Sequence, residues 1–361
     1  MDFMQLLFGL IAALGGGFFG AAIGGNFSFV ITGFTVLLGL GVAAFSGGHA
    51  PDAGVASAVS GTVFGNLAFG PFTGPHVAFG GAVAGAAYAA KKGYSDSGKD
   101  IVQPLARLGK PDVLLVGALF GAVGFVLQKL FSLIPWYGSH GDSVAITVFT
   151  SALLVRMIFG ANATDPQHGS SLLNPEKYGK DSKFAPRDDA GWLRFMETPA
   201  QLLPLGFFVG LLAAFSAIML ANTVPGIGGN ANVFPFAISA VTIFFLNIGY
   251  NIPVTHHITN IAGLGAIMFY PIFTGQHPAS AAGGFNAAVF NTTVPLNYGA
   301  AVGAVIVGGL FGVMSAFICE WGARFFYNRG TTHIDPPAFA IFISNTIVWI
   351  VALIVSGTAA A

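Results

Sequence analysis

Ile23-Gly24-Gly25-Asn26 reappears as Ile227-Gly228-Gly229-Asn230, and Phe72-Thr73-Gly74-Pro75-His76 reappears as Phe273-Thr274-Gly275-Gln276-His277. Between the two motifs Pro51 answers to Pro253, and all three matches share an offset of about 200 residues. One tetrapeptide match in a glycine-rich chain arises by chance, but collinear matches around a shared proline do not arise easily. In a membrane protein, duplication of this kind marks transport folds assembled from two repeats.

Composition puts the chain in a membrane. Of its 361 residues, 54% are hydrophobic and 8% are charged. A soluble domain carries about 25% charged residues. The 14 Lys and Arg balance the 14 Asp and Glu, so no basic excess points to nucleic acid. The single cysteine, Cys319, excludes an intramolecular disulfide and a cysteine-based metal cage, and its apolar surroundings read as packing. Met1-Asp2-Phe3 offers no basic lead-in, so residues 3–22 read as a retained helix and not as a signal peptide.

A helix that spans a bilayer needs about 20 mostly apolar residues. The apolar runs of the first half are 3–22, 27–45, 53–70, 75–90, 113–134 and 144–161; those of the second are 200–222, 231–250, 254–272, 278–290, 297–323 and 337–357. They pair in order. The run 53–70 is rich in Gly, Ala and Ser, 254–272 opens on Val254-Thr255-His256-His257, and 278–290 is short. These weaker runs read as half-helices or re-entrant pieces, which are tolerated at membrane depth where protein or water covers them.

The basic residues set the orientation. Lys91, Lys92, Lys99, Arg107 and Lys110 fall in 91–110; Lys177, Lys180, Lys183, Arg187 and Arg194 fall in the polar stretch 162–196; Arg324 and Arg329 follow 297–323. The positive-inside rule puts all three in the cytoplasm. The loop equivalent to 91–110, residues 291–296, carries no Lys or Arg, and the loop equivalent to 324–336, residues 135–143, carries none either. Basic loops therefore swap between halves, as inversion requires. The expected fold is an all-α polytopic membrane protein of two inverted-topology repeats, each with about five transmembrane helices plus one re-entrant or broken helix. Residues 1–161 form repeat 1, 162–196 a cytoplasmic linker and 197–361 repeat 2. Both termini face outward from a cell (inner or plasma) membrane.

The repeated motifs nominate the site. Gly24 and Gly25, and likewise Gly228 and Gly229, free the backbone for a tight corner. Asn26 and Asn230 can cap the helix that follows, or the helix start can face a solute. Thr73 and His76, and Thr274 and His277, follow the suspected re-entrant runs, where an ionisable residue within the membrane is a functional candidate by default. These ten residues are the expected substrate contacts. Asp52, His256 and His257, beside Pro51 and Pro253, are the candidates for ion or proton coupling. Each also has a plainer reading: a helix-turn-helix corner, a packed neutral His, an Asp at a helix start. No metal site is expected, because the histidines lack ligand spacing and acid partners are few.

Three classes compete. Inverted repeats with polar motifs near the midplane fit a permease that moves a small solute by alternating access, proton- or ion-coupled in one version. Re-entrant halves also build passive channels, and a non-catalytic subunit of a larger complex shares the same composition. The absence of paired carboxylates, a Ser/His pair or a nucleotide-binding loop points away from an enzyme and from any cofactor. The expected partners are the lipid bilayer, a small-molecule or ion substrate and, through glycine-rich faces, a second copy of the chain.

Overall fold

The computed structural model describes residues 2–49, 61–160, 193–224, 227–281, 283–290, 295–328 and 330–357. Among them the chain is helical throughout, with no strand beyond two isolated bridges. The first half supplies α1 (Phe3–Ile23), α2 (Gly25–His49), α3 (Ala78–Lys91), α4 (Pro111–Ser132) and α5 (Ser143–Phe159). The second supplies α6 (Pro199–Thr223), α7 (Val233–Asn247), α8 (His256–Phe273), α9 (Tyr298–Gly322) and α10 (Pro336–Val355). Seven of the helical segments are long and apolar enough to cross a membrane; α3, α5 and α8 are not among them.

Local sequence explains where the helices begin. Asp2 caps α1 in a capping box with Gln5, and Thr198 does the same for α6 with Gln201, ahead of Pro199. Asp142 and Asp335 accept the backbone N–H groups of Ala145 and Ala338, each at 2.8 Å, and so start α5 and α10. Asn297 caps α9.

The two halves use the same pairings. In each, the first helix packs on the third and fourth, the third on the fourth, and the fifth on the third and fourth, while the second lies on the third. Across the halves, α2 packs on α7 and α5 on α10, second on second and fifth on fifth. The first and fourth helices cross where glycine removes the side chain. A Cβ on Gly17 would lie 2.7 Å from the Gly121 Cα, and one on Gly210 3.0 Å from the Gly309 Cα, the close approach that small residues permit in membrane helices. These four helices turn Phe8, Ile11, Leu119, Phe208, Leu212 and Leu310 outward, each more than half exposed. Such a belt suits lipid.

The Ile-Gly-Gly-Asn motifs occupy matching corners, between α1 and α2 and between α6 and α7. In each, the first glycine has positive φ, 94° at Gly24 and 31° at Gly228. Each corner also rests on the loop between the third and fourth helices of its own half. Gly24 lies against Val102 and Gln103, and Gly229 against Phe285.

The Phe-Thr-Gly-x-His motifs do not match. The first precedes the third helix of its half, and the second follows it. The pairing of runs shifts accordingly: 78–91 packs as 256–273 does, while the described residues of 278–290 hold only a single helical turn, Ala287–Val289. A helix-breaking pentapeptide serves equally before or after a helix, so the match carries no register. The run 254–272, expected to be a half-helix, forms the unbroken α8. The break lies in the first half, where a π-helical turn, Val63–Ala68, leads into irregular backbone at 69–77. Residues 162–192 of the expected linker lie outside the described residues; the turn Arg194–Met196 packs onto the body, with Met196 Sδ accepting the Val254 N–H.

Candidate functional site: a cavity between the halves

A cavity of about 700 Å³ lies between the two halves. Its walls come from α2, α3 and α5 of the first half and α7, α8 and α10 of the second, together with the loops at their ends. None of the lining residues belongs to α1, α4, α6 or α9. Each half thus divides into two outer helices and three lining helices.

The walls combine aromatic and aliphatic side chains with polar ones, five asparagines among them. Phe29, Phe79 and Phe236 cluster near His256, whose ring lies 4.7 Å from Phe29 and 5.8 Å from Phe236. At one end Lys99, Tyr327, His333 and Asp335 meet Asn26. At the other stand Ser139, Asp142 and Asn230. These are opposite ends because α5 runs from Asp142 to the strap that carries His333, spanning about 25 Å.

Hydrogen bonds fasten that strap to the first half. Arg156, fully buried at the far end of α5, donates from Nε to Thr332 Oγ1 at 3.0 Å and from Nη2 to Thr332 O at 2.7 Å. Thr331 Oγ1 donates to Gly160 O, and the His333 N–H to Gly98 O. The opposite end is held differently. The Asn345 carboxamide donates to the His140 carbonyl, and the His140 ring stacks on Trp136 at 4.8 Å and meets Trp349 edge-on at 4.6 Å.

Of the residues expected from the sequence, Asn26, Gly229, Asn230 and His256 line this cavity. Gly24, Gly25 and Gly228 form the corners behind them. Thr73 and His76 are buried in the broken segment next to Pro75, which reaches the wall. There Thr32 Oγ1 donates to Thr73 O at 2.6 Å, Thr73 Oγ1 donates to Leu67 O, and a Cβ on Gly124 would overlap the His76 carbonyl. Irregular backbone is thereby held against α1, α2 and α4, with the Thr73 carbonyl satisfied from α2, while the buried His76 Nδ1 has no partner among the described residues. Thr274 and His277 are elsewhere. The Thr274 hydroxyl closes the end of α8 on Pro271 O, and His277 pins the following loop to Ala279, Asn286 and Ser356. His76 and His277 therefore do not face one another. His257 is fully buried beside the His256 ring, and Ser315 of α9 donates to its backbone carbonyl. Asp52 lies outside the described residues. Among the described residues no group of three His, Cys, Asp or Glu stands together as a metal site would require.

The sequence reading passed over a third repeated element. His140-Gly141-Asp142 and His333-Ile334-Asp335 stand at the start of the fifth helix in each half, and both Asp residues line the cavity. Two residues are too few to attract notice in loops examined only for charge. The signal that could have found them is position: each lies just before the last apolar run of its half. Asn232 and Asn260 are joined at 2.6 Å between the start of α7 and the second turn of α8.

An all-helical, multi-pass membrane protein with a large cavity between two similarly packed halves is the class these features define. The chain belongs to a family of unknown function, DUF7973, whose model matches residues 2–358. No curated protein and no solved structure matches it.

Proposed function

We propose that the chain is a permease of two inverted-topology repeats that carries a small solute across the membrane by alternating access, with its site in the cavity between them. The observation that carries this reading is the composition of the cavity wall. The second, third and fifth helices of both halves supply it, and the first and fourth helices supply none of it. An assembly related by a pseudo-two-fold axis in the membrane plane places its substrate at that interface. The second-on-second and fifth-on-fifth contacts are those such an axis generates. The broken segment 69–77 supports the same reading, since irregular backbone at membrane depth accompanies transport sites. The unlike environments of His140 and His333 favour a transporter with an asymmetric site over a passive channel.

In this reading the strap 330–335 and the loop 92–110 face the cytoplasm, and the loops 133–142 and 274–297 face outward. Single cysteines on a Cys319→Ser background test it. Introduced at Arg107, a cysteine reacts with a membrane-impermeant maleimide only from the cytoplasmic side; at Ser139 or Gln276, only from outside. Labelling of positions 107 and 139 from the same side would sink the inverted arrangement. Transport itself is tested in proteoliposomes: solute-dependent, saturable uptake supports a permease, and unsaturable conductance supports a channel instead.

A further inference from the structure

Among the described residues three charged side chains stand on the cavity wall, and each already has a partner. The Lys99 ammonium lies 4.7 Å over the Tyr327 ring and within 3.4 to 3.5 Å of the Asn328 and Tyr327 carbonyls. Asp142 caps α5. Asp335 caps α10 with Oδ2 and meets His333 Nε2 at 3.3 Å with Oδ1. An ionic solute would have to displace these contacts before it could pair with any of the three, and leaving a buried ion unpaired is costly.

Two imidazoles are in the opposite condition. A carboxylate only accepts, so the His333–Asp335 contact places the ring proton on Nε2 and leaves Nδ1 a bare acceptor in the neutral ring. His333 is 1% exposed, and its Nδ1 has no hydrogen-bond partner among the described residues. His256, 5% exposed, likewise has an unpartnered Nδ1. A buried polar atom with no partner calls for an explanation, and both rings line the same cavity. Flat faces surround them. Phe79 and Tyr327 stand edge-on to His333 at 5.5 and 5.3 Å, and Phe29 links Phe79 to His256. Asn26 adds a carboxamide that both donates and accepts.

We infer that the cavity binds a neutral, planar, ring-containing solute that donates an N–H or O–H to His333 Nδ1 and stacks against the phenylalanine faces, with Asp335 fixing the tautomer that makes His333 an acceptor. The aromatic walls supply stacking, the imidazole and carboxamide supply orientation, and the engaged charges offer an ion no ready partner. The inference rests on the transport reading for its purpose but not for its geometry.

The test is binding to the full chain in lipid nanodiscs, followed by thermal shift and by quenching of tryptophan fluorescence, since Trp349 lies on the wall. The probes are uracil, adenine and nicotinamide as neutral planar rings, benzoate as an anion and tetraethylammonium as a cation. The expected result is saturable binding of at least one neutral ring and of neither ion. His333→Phe weakens that binding at least tenfold, His333→Gln, which keeps an acceptor, recovers part of it, and Asp335→Asn, which keeps the helix cap, weakens it several-fold by releasing the tautomer. The partial recovery and the Asp335→Asn effect are outcomes that mere loss of folding would not give. Binding of an ion in preference to all three rings, no ring binding at all, or ring binding indifferent to His333→Phe each overturns the inference. Proteoliposome flux separates the two readings. A ring solute that binds but is not carried leaves the site standing and removes the transport assignment. Uptake of an ion with no ring binding does the reverse.

Discussion

The two ends of the cavity carry the same three-residue pattern and use it differently. At one, His140 lies two residues before the cap of α5. Its Nδ1 is 2.7 Å from the Trp136 carbonyl and 2.8 Å from Ser139 Oγ, and its ring is sandwiched by Trp136 and Trp349. At the other, His333 lies two residues before the cap of α10, turns Nε2 to Asp335 and keeps Nδ1 unpartnered among the described residues. The capping function is unchanged, with Asp accepting a backbone N–H at 2.8 Å in both. Both halves thus keep an Asp that starts the helix, while the His two residues before it serves a different task in each. His140 fastens one end of the interface, while at the other end Arg156 does the fastening.

That division of labour is open to attack from the largest effect downward. Arg156→Ala removes two hydrogen bonds from a charged group and leaves a buried carbonyl unsatisfied, at a cost of about 3 kcal/mol. A lowered melting temperature in nanodiscs, with new hydrogen exchange in 330–335, is the expected outcome. Unchanged protection of the strap would mean that Arg156 does not hold it. Asp335→Ala comes next. It removes a helix cap, worth about 1 kcal/mol, and also the contact to His333. Asp142→Ala removes the other cap with no imidazole contact, and also relieves the desolvation of its buried carboxylate. A larger loss at Asp335 is the expected outcome, and equal losses would erase that asymmetry. Asn345→Ala removes one bond to the His140 carbonyl, about 1 kcal/mol, and loosens the opposite end without touching the strap.

A second comparison explains how much could be read in advance. The corners at Gly24 and Gly228 were legible because their requirement is local: positive φ and close approach restrict the position to glycine. The membrane class followed from composition alone. The runs 75–90 and 254–272 that form the third helices were legible, but their pairing and continuity were not. α8 is unbroken although it opens on two histidines and contains Pro271, because protein covers nearly every face of it: 16 of its 18 residues are buried. α3 begins only at Ala78, after a segment that Thr32, Gly16 and Gly124 hold from three other helices. Those contacts are long-range and leave no trace in a local pattern. His333 was invisible for the same reason, since the freedom of its Nδ1 depends on which side chains from both halves surround it. Thr32→Val tests the point on a small scale. It removes the bond to Thr73 O, about 1 kcal/mol, and is expected to raise exchange in 69–77 while leaving α8 unchanged.

The smallest effect concerns charge. Asp142 precedes α5 and lies outside the spanning segments. Burial raises its pKa above the ordinary carboxylate value, and backbone N–H bonds from Ala145 and Val144 offset part of the rise. A carboxyl with a raised folded-state pKa opposes folding once it ionises, so its cost grows as pH climbs from the unfolded value, about 4, through the folded one, and is full beyond that. Asparagine caps a helix as well as aspartate does and carries no charge to desolvate. Asp142→Asn is therefore expected to raise the melting temperature slightly at neutral pH, with the gain fading as the wild-type carboxyl takes up its proton in acid. A loss at neutral pH would mean that the ionised carboxylate is needed where it stands, making this end of the cavity a cation-seeking mouth and not only a fastening.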